Sequence, residues 1–104
     1  MVLNTLSLKD YQERLLDAFA SFLSRSRELK SPASAFAEST SKHLGYALPY
    51  HPLPYAESVP YVCLRVPTGG GKTRIAGQAI KKVNESFLAT QHSLILWLVP
   101  SDPI

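Results

Sequence analysis

The 104-residue chain carries 11 Lys and Arg against 8 Asp and Glu, a net charge of +3, with 45% hydrophobic residues. That balance belongs to soluble globular proteins and excludes a fibrous or largely disordered chain. Cys63 is the only cysteine, which excludes an intrachain disulfide, and no block of Lys or Arg marks a nucleic-acid groove or tail.

The opening MVLNTLSLKD has no basic region followed by an apolar core, so no secretory signal is expected. The longest apolar run, Leu94 to Val99, is too short to span a bilayer. The expected location is cytoplasmic, with no membrane partner. Ser7 is placed to cap a helix running to about Arg27. Leu8, Tyr11, Leu15, Ala18, Phe19 and Phe22 recur at helical spacing and predict one apolar face. Gln12 sits beside that stripe, where the plain reading is a solvated polar residue.

From Leu29 to Ser58 the periodicity weakens. Ala33 to Leu44 predicts a short helix with Ser31 or Ser34 near its start. ALPYHPLPYAESVP then reads as an extended surface connection, because four prolines remove backbone donors and restrict the residues before them. Tyr46, Tyr50 and Tyr55 are candidates to pin it by packing. His43 and His51 lack carboxylate or cysteine neighbours at metal-ligand spacing.

Tyr61 to Val66 predicts a strand with Val62, Leu64 and Val66 on one face. Cys63 reads as a small buried side chain there, and Arg65 is awkward in a buried strand. The strand breaks into PTGGGKT. Three glycines allow a tight bend and close approach to a ligand, and successive N–H groups in such a turn form a concavity for anionic oxygens. Lys72 adds a point charge for the β- and γ-phosphates, and Thr73 a hydroxyl for Mg²⁺. The pattern G-x-x-x-x-G-K-[ST] departs at Val66, where its first glycine would stand.

A helix follows from Gly71 to about Leu88, with Ile75, Ala76, Ala79, Ile80, Val83 and Phe87 as its stripe and its N-terminus toward the phosphates. Gln91, His92 and Ser93 are a polar break. Ser93 to Val99, SLILWLV, predicts a strand covered on both faces. The fold class expected is α/β: an amphipathic helix, then a βαβ unit with a right-handed crossover. The division expected is a helical and Pro-rich segment over 1–58 and a nucleotide-binding unit over 59–104.

Tyr11-Gln12, VPTGGGKT at Val66–Thr73 and LWLVPSDPI at Leu96–Ile104 resemble the opening motifs of superfamily 2 helicases of DEAD/DEAH type. The lead-in ALPYHPLPY…VPY is similar to that of the restriction (Res) subunit of type III restriction enzymes. The resemblance implies a partial P-loop (RecA-like) domain binding ATP and Mg²⁺, within a protein that couples ATP hydrolysis to translocation along DNA. It implies that Gln12 reads the adenine edge. Thr68, Gly69, Gly70, Gly71, Lys72, Thr73 and Arg74 would hold the phosphates, with Lys72 and Thr73 as catalytic groups and Thr73 ligating Mg²⁺. Pro100 and Ser101 would begin the motif that touches one nucleic-acid strand, and a methyltransferase (modification) subunit is an implied partner.

Hydrolysis also needs a carboxylate pair for Mg²⁺ and the attacking water, and usually an arginine. After Thr73 the only acids are Glu85 and Asp102, and neither follows an apolar strand in the required way. In the family sheet the two predicted strands are separated by strands that come later. The expectation is therefore a fold truncated after its second strand, prone to aggregate through Leu94, Ile95, Leu96 and Trp97, that holds nucleotide without turning it over. Two further readings stand beside it: a P-loop kinase or other small NTPase, which the loop alone permits, and a non-catalytic nucleotide- or partner-binding chain.

Overall fold

The computed structural model describes residues 10–66, 71–96 and 98. Ser7, Leu8, Thr68, Gly69, Gly70, Trp97, Val99, Pro100, Ser101 and Asp102 lie outside the described residues.

Helix α1 spans Asp10–Leu29, with Asp10 and Glu13 in its first turn and Arg27 in its last. Each sign matches the helix dipole. The helix closes with Lys30 in the left-handed region, φ +54, while the Ser31 N–H donates to the Ser26 carbonyl at 3.2 Å. That six-to-one bond satisfies a carbonyl left over at the helix end. Helix α2, Pro32–Leu44, starts at once: the Ser31 side chain accepts from the Ser34 N–H, Pro32 occupies the first turn, and Gly45 ends it at φ +84. Proline costs nothing there because its missing N–H has no intrahelical acceptor.

The tight turn folds α1 and α2 into a hairpin. Phe22, Leu23 and Ala35 form its core, with Phe19, Phe36, Val62, Val83 and Phe87 packed around them. Phe22 meets Phe36 edge-on, with ring centroids 6.1 Å apart, the arrangement the ring quadrupoles favour. Truncating a side chain as buried as Leu23 (2% exposed) to Ala costs about 2–5 kcal/mol in such a core. At the surface Arg25 bridges Glu38 at 3.1 Å and Glu28 at 3.2 Å. The hydrogen bond to Glu38 raises the Arg25 pKa, and the Glu38 and Glu28 charges add to it. A guanidinium is already charged at any working pH, so the upward shift leaves its charge as it is, and the bridge to Glu38 ties α1 to α2.

The connection after α2 is pinned at two points. The Thr40 hydroxyl oxygen accepts from the Leu48 N–H at 3.0 Å, and the Tyr50 hydroxyl oxygen accepts from the Tyr61 N–H at 3.0 Å. Tyr50 also packs on Phe36, centroid to centroid 5.3 Å, whereas Tyr46 and Tyr55 are exposed. Helix α3, Lys72–Val83, runs into a π-helical turn, Asn84–Leu88.

The α/β class expected from the sequence is not what the chain adopts. Among the described residues there are three α-helices and no strand, so the βαβ unit and the RecA-like sheet are overturned. Residues 61–66 do alternate, with Val62, Leu64 and Val66 half-buried and Tyr61, Cys63 and Arg65 exposed. Residues 93–96 are likewise outside any helix. A strand, however, is defined by its ladder, and among the described residues neither segment belongs to one. Each lines a different part of one cleft. The doubly covered strand predicted at Ser93–Val99 is correspondingly bare: Leu94, Leu96 and Leu98 are 102%, 82% and 80% exposed. Cys63, read as buried, is exposed.

Candidate functional site

Gly71 is the residue on which the site turns. It caps α3 at φ +77 with no side-chain hydrogen bond to the helix end. The first helical bond is the Ile75 N–H to the Gly71 carbonyl at 2.9 Å. The amides of Lys72, Thr73 and Arg74 therefore precede any intrahelical acceptor. All three side chains are exposed. Ile75, 2% exposed, fixes the start of the helix from beneath.

Gln12 comes to this point from the first turn of α1. It is 4% exposed, and its Nε2 lies 2.8 Å from where a Cβ on Gly71 would stand. Reading it as a solvated helix residue is thus incorrect. A carboxamide fits there only because the glycine leaves the space open. The buried line of α1 accordingly includes Gln12, Leu16, Leu23 and Ser26, whereas Tyr11, Leu15, Ala18 and Phe19 are half-buried flanks.

The N-terminal turns of α3 open on a cleft of about 940 Å³. Cys63–Val66 line one part of it and Ile95, Leu96 and Leu98 another. Most of its lining is apolar, with Arg65, Lys72 and Thr73 as the polar exceptions. Two of the predicted phosphate ligands thus share a concave surface with cationic character, which suits an anion at that end.

Glu85 is exposed in the π-helical turn, about 20 Å along the axis from Lys72 at 1.5 Å per residue. It cannot reach a metal held at Thr73. Among the described residues no group of three or more His, Cys, Asp or Glu is placed to hold a metal ion. His92 is an exposed loop residue whose carbonyl accepts from the Thr90 hydroxyl at 2.9 Å.

Sequence reasoning missed Asn84. Its Oδ1 accepts from the Ser93 hydroxyl at 2.7 Å, and its carbonyl accepts from the Ala89 and Thr90 N–H groups. One residue thereby sets the direction in which the chain leaves the helix. No pattern around an asparagine at a helix end distinguishes that role from simple solvation. Among the described residues, no helix is long and apolar enough to cross a membrane. No family model matches the chain, and no curated protein or solved structure matches it.

Proposed function

We propose that the chain binds ATP with Mg²⁺ through the glycine-rich run ahead of α3. The triphosphate would lie against Gly71 and the first α3 amides, with Lys72 as its counter-charge and the Thr73 hydroxyl on the metal. Bound Mg²⁺ would neutralise the phosphate oxygens. The protein's own groups hold and orient them. In this reading the chain is the nucleotide-binding part of a cytoplasmic DNA helicase or translocase of the type III restriction kind.

The observation that carries the reading is the meeting of Gln12 and Gly71. These residues come from two motifs 59 positions apart, each singled out for the same ligand, and they lie within contact distance. A helix start whose N-cap glycine supplies no side-chain hydrogen bond, with exposed lysine and threonine beside it, supports the phosphate end of the site. Thr68, Gly69 and Gly70 would complete the cradle, Arg74 would add charge beside it, and Pro100 and Ser101 would face nucleic acid. The position of Glu85, about 20 Å from Lys72, supports binding without turnover by this chain.

Titration of the 104-residue chain with a fluorescent ATP analogue in Mg²⁺ tests this. Lys72→Ala should weaken binding at least tenfold while the far-UV helical signal stays unchanged. Equal affinity of wild type and Lys72→Ala, or no binding by either, refutes it.

A further inference from the structure

Gln12 stands in the first turn of α1, one turn before Leu16, and both side chains are buried. Its Nε2 lies 2.8 Å, and its carboxamide carbon 3.9 Å, from where a Cβ on Gly71 would stand. The polar head of the side chain is therefore laid over the residue that caps α3. The cleft beyond is lined by Lys72 and Thr73 and by Ile75, Ala76, Ala79 and Ile80 of the same helix, and Gln12 is not part of that lining.

We propose that Gln12 is a positioning residue for the triphosphate and does not read the base. Its carboxamide fills the space that Gly71 leaves and holds that glycine at the φ of +77 from which α3 starts. It thereby aims the Lys72, Thr73 and Arg74 amides at the phosphate oxygens. The assignment rests on the nucleotide site proposed above and names the part of the ligand on which Gln12 acts. It replaces the adenine-reading role that the resemblance to the helicases implies.

Two physical points carry the assignment. The carboxamide is the only polar group of a glutamine side chain, so it serves one end of a ligand. In a nucleoside triphosphate the base edge and the β- and γ-phosphates lie on opposite sides of the ribose, and Gly71 begins the helix end that faces phosphate. The second point is aim. Glycine takes either sign of φ with equal ease, so its conformation at the cap is set by what packs on it. The first amides of α3 have no intrahelical acceptor, and a rotation at the cap swings them together. Such a swing changes the grip on any polyphosphate, whatever base is attached.

Displacement of the fluorescent ATP analogue by ATP, GTP and inorganic tripolyphosphate, each with Mg²⁺, tests the assignment. Gln12→Ala, with its helical signal intact, should weaken all three by the same factor, about fivefold. A loss confined to ATP, or no loss for any of the three, overturns the proposal. A second readout needs no variant, and it decides the matter if Gln12→Ala loses helical signal. In the wild-type chain the side-chain amide resonances of Gln12 should shift on addition of tripolyphosphate with Mg²⁺ and stay in place on addition of adenosine. Any shift with adenosine, or none with tripolyphosphate, overturns the proposal. Failure of the wild type to bind any of the three ligands overturns the proposed function and this assignment together. Binding by the wild type with a loss confined to ATP overturns the assignment and leaves the function standing.

Discussion

Replacing Gly71 with Ala introduces one methyl group and sets two costs against the fold. The first is backbone strain. At φ +77 an L-residue brings its Cβ against the neighbouring carbonyl, which costs about 1–2 kcal/mol. The second is a collision, because the new Cβ would stand 2.8 Å from Gln12 Nε2, closer than real Cβ contacts allow. A carboxamide at the surface would swing aside at little cost. Gln12 is 4% exposed, so moving it disturbs packed neighbours and the hydrogen bonding of a buried amide, at about 1–3 kcal/mol. The expected loss is about 2–4 kcal/mol, a large share of the stability of a domain this size. Urea unfolding followed by helical circular dichroism measures it. The double variant Gln12→Ala/Gly71→Ala separates the terms: with the carboxamide gone only the strain remains, so the two substitutions should couple by about 1–2 kcal/mol. Strict additivity, or a Gly71→Ala loss under about 0.5 kcal/mol, refutes the contact.

Ser26→Ala should leave stability unchanged or raise it by up to about 1 kcal/mol, because Ser26 Oγ is buried and has no hydrogen-bond partner among the described residues; a loss in thermal unfolding would show an acceptor or donor there. Tyr50→Phe keeps the ring on Phe36 but strands the Tyr61 N–H, and should cost about 1 kcal/mol with faster hydrogen exchange at Tyr61 than at the α1 core.

The helices were legible because their determinants are local. Ser31 followed by Pro32, and Gly45 past the last turn, mark α2 from the sequence, and side chains three and four apart meet in any helix. That the predicted strands do not form among the described residues was not legible, because pairing is a property of two segments. Val62, Leu64 and Val66 alternate as a strand should, yet alternation says nothing about whether a neighbour lies at ladder distance. Cys63 and the run from Leu94 were assigned to a buried sheet on apolar content, and Cys63, Leu94, Ile95, Leu96 and Leu98 are exposed. Within the site, Lys72, Thr73 and the left-handed glycine were readable from residue type. The burial of Gln12 was not. Hydropathy assigns a glutamine outward, and only the missing side chain of Gly71 makes room for it.

That missing side chain also explains how the start of α3 is held without a sheet among the described residues. In an α/β protein the strand before the loop, fixed by its neighbours, aims the backbone at the ligand. Here residues 61–66 have no neighbouring strand among the described residues; Val62 packs against the helical core and the Tyr50 hydroxyl accepts from the Tyr61 N–H. The start of α3 is fixed by the buried Ile75 and by Gln12 against Gly71. Gln12 lies on the same helix as Phe22 and Leu23, ten and eleven residues along, about 15 Å at the helical rise. Because a helix of this length moves as a rigid element, the core that seats Leu23 also sets the position of the Gln12 carboxamide. Helix α1 therefore takes the positioning role that strand neighbours would otherwise have, with the aromatic core at one end and the proposed phosphate site at the other.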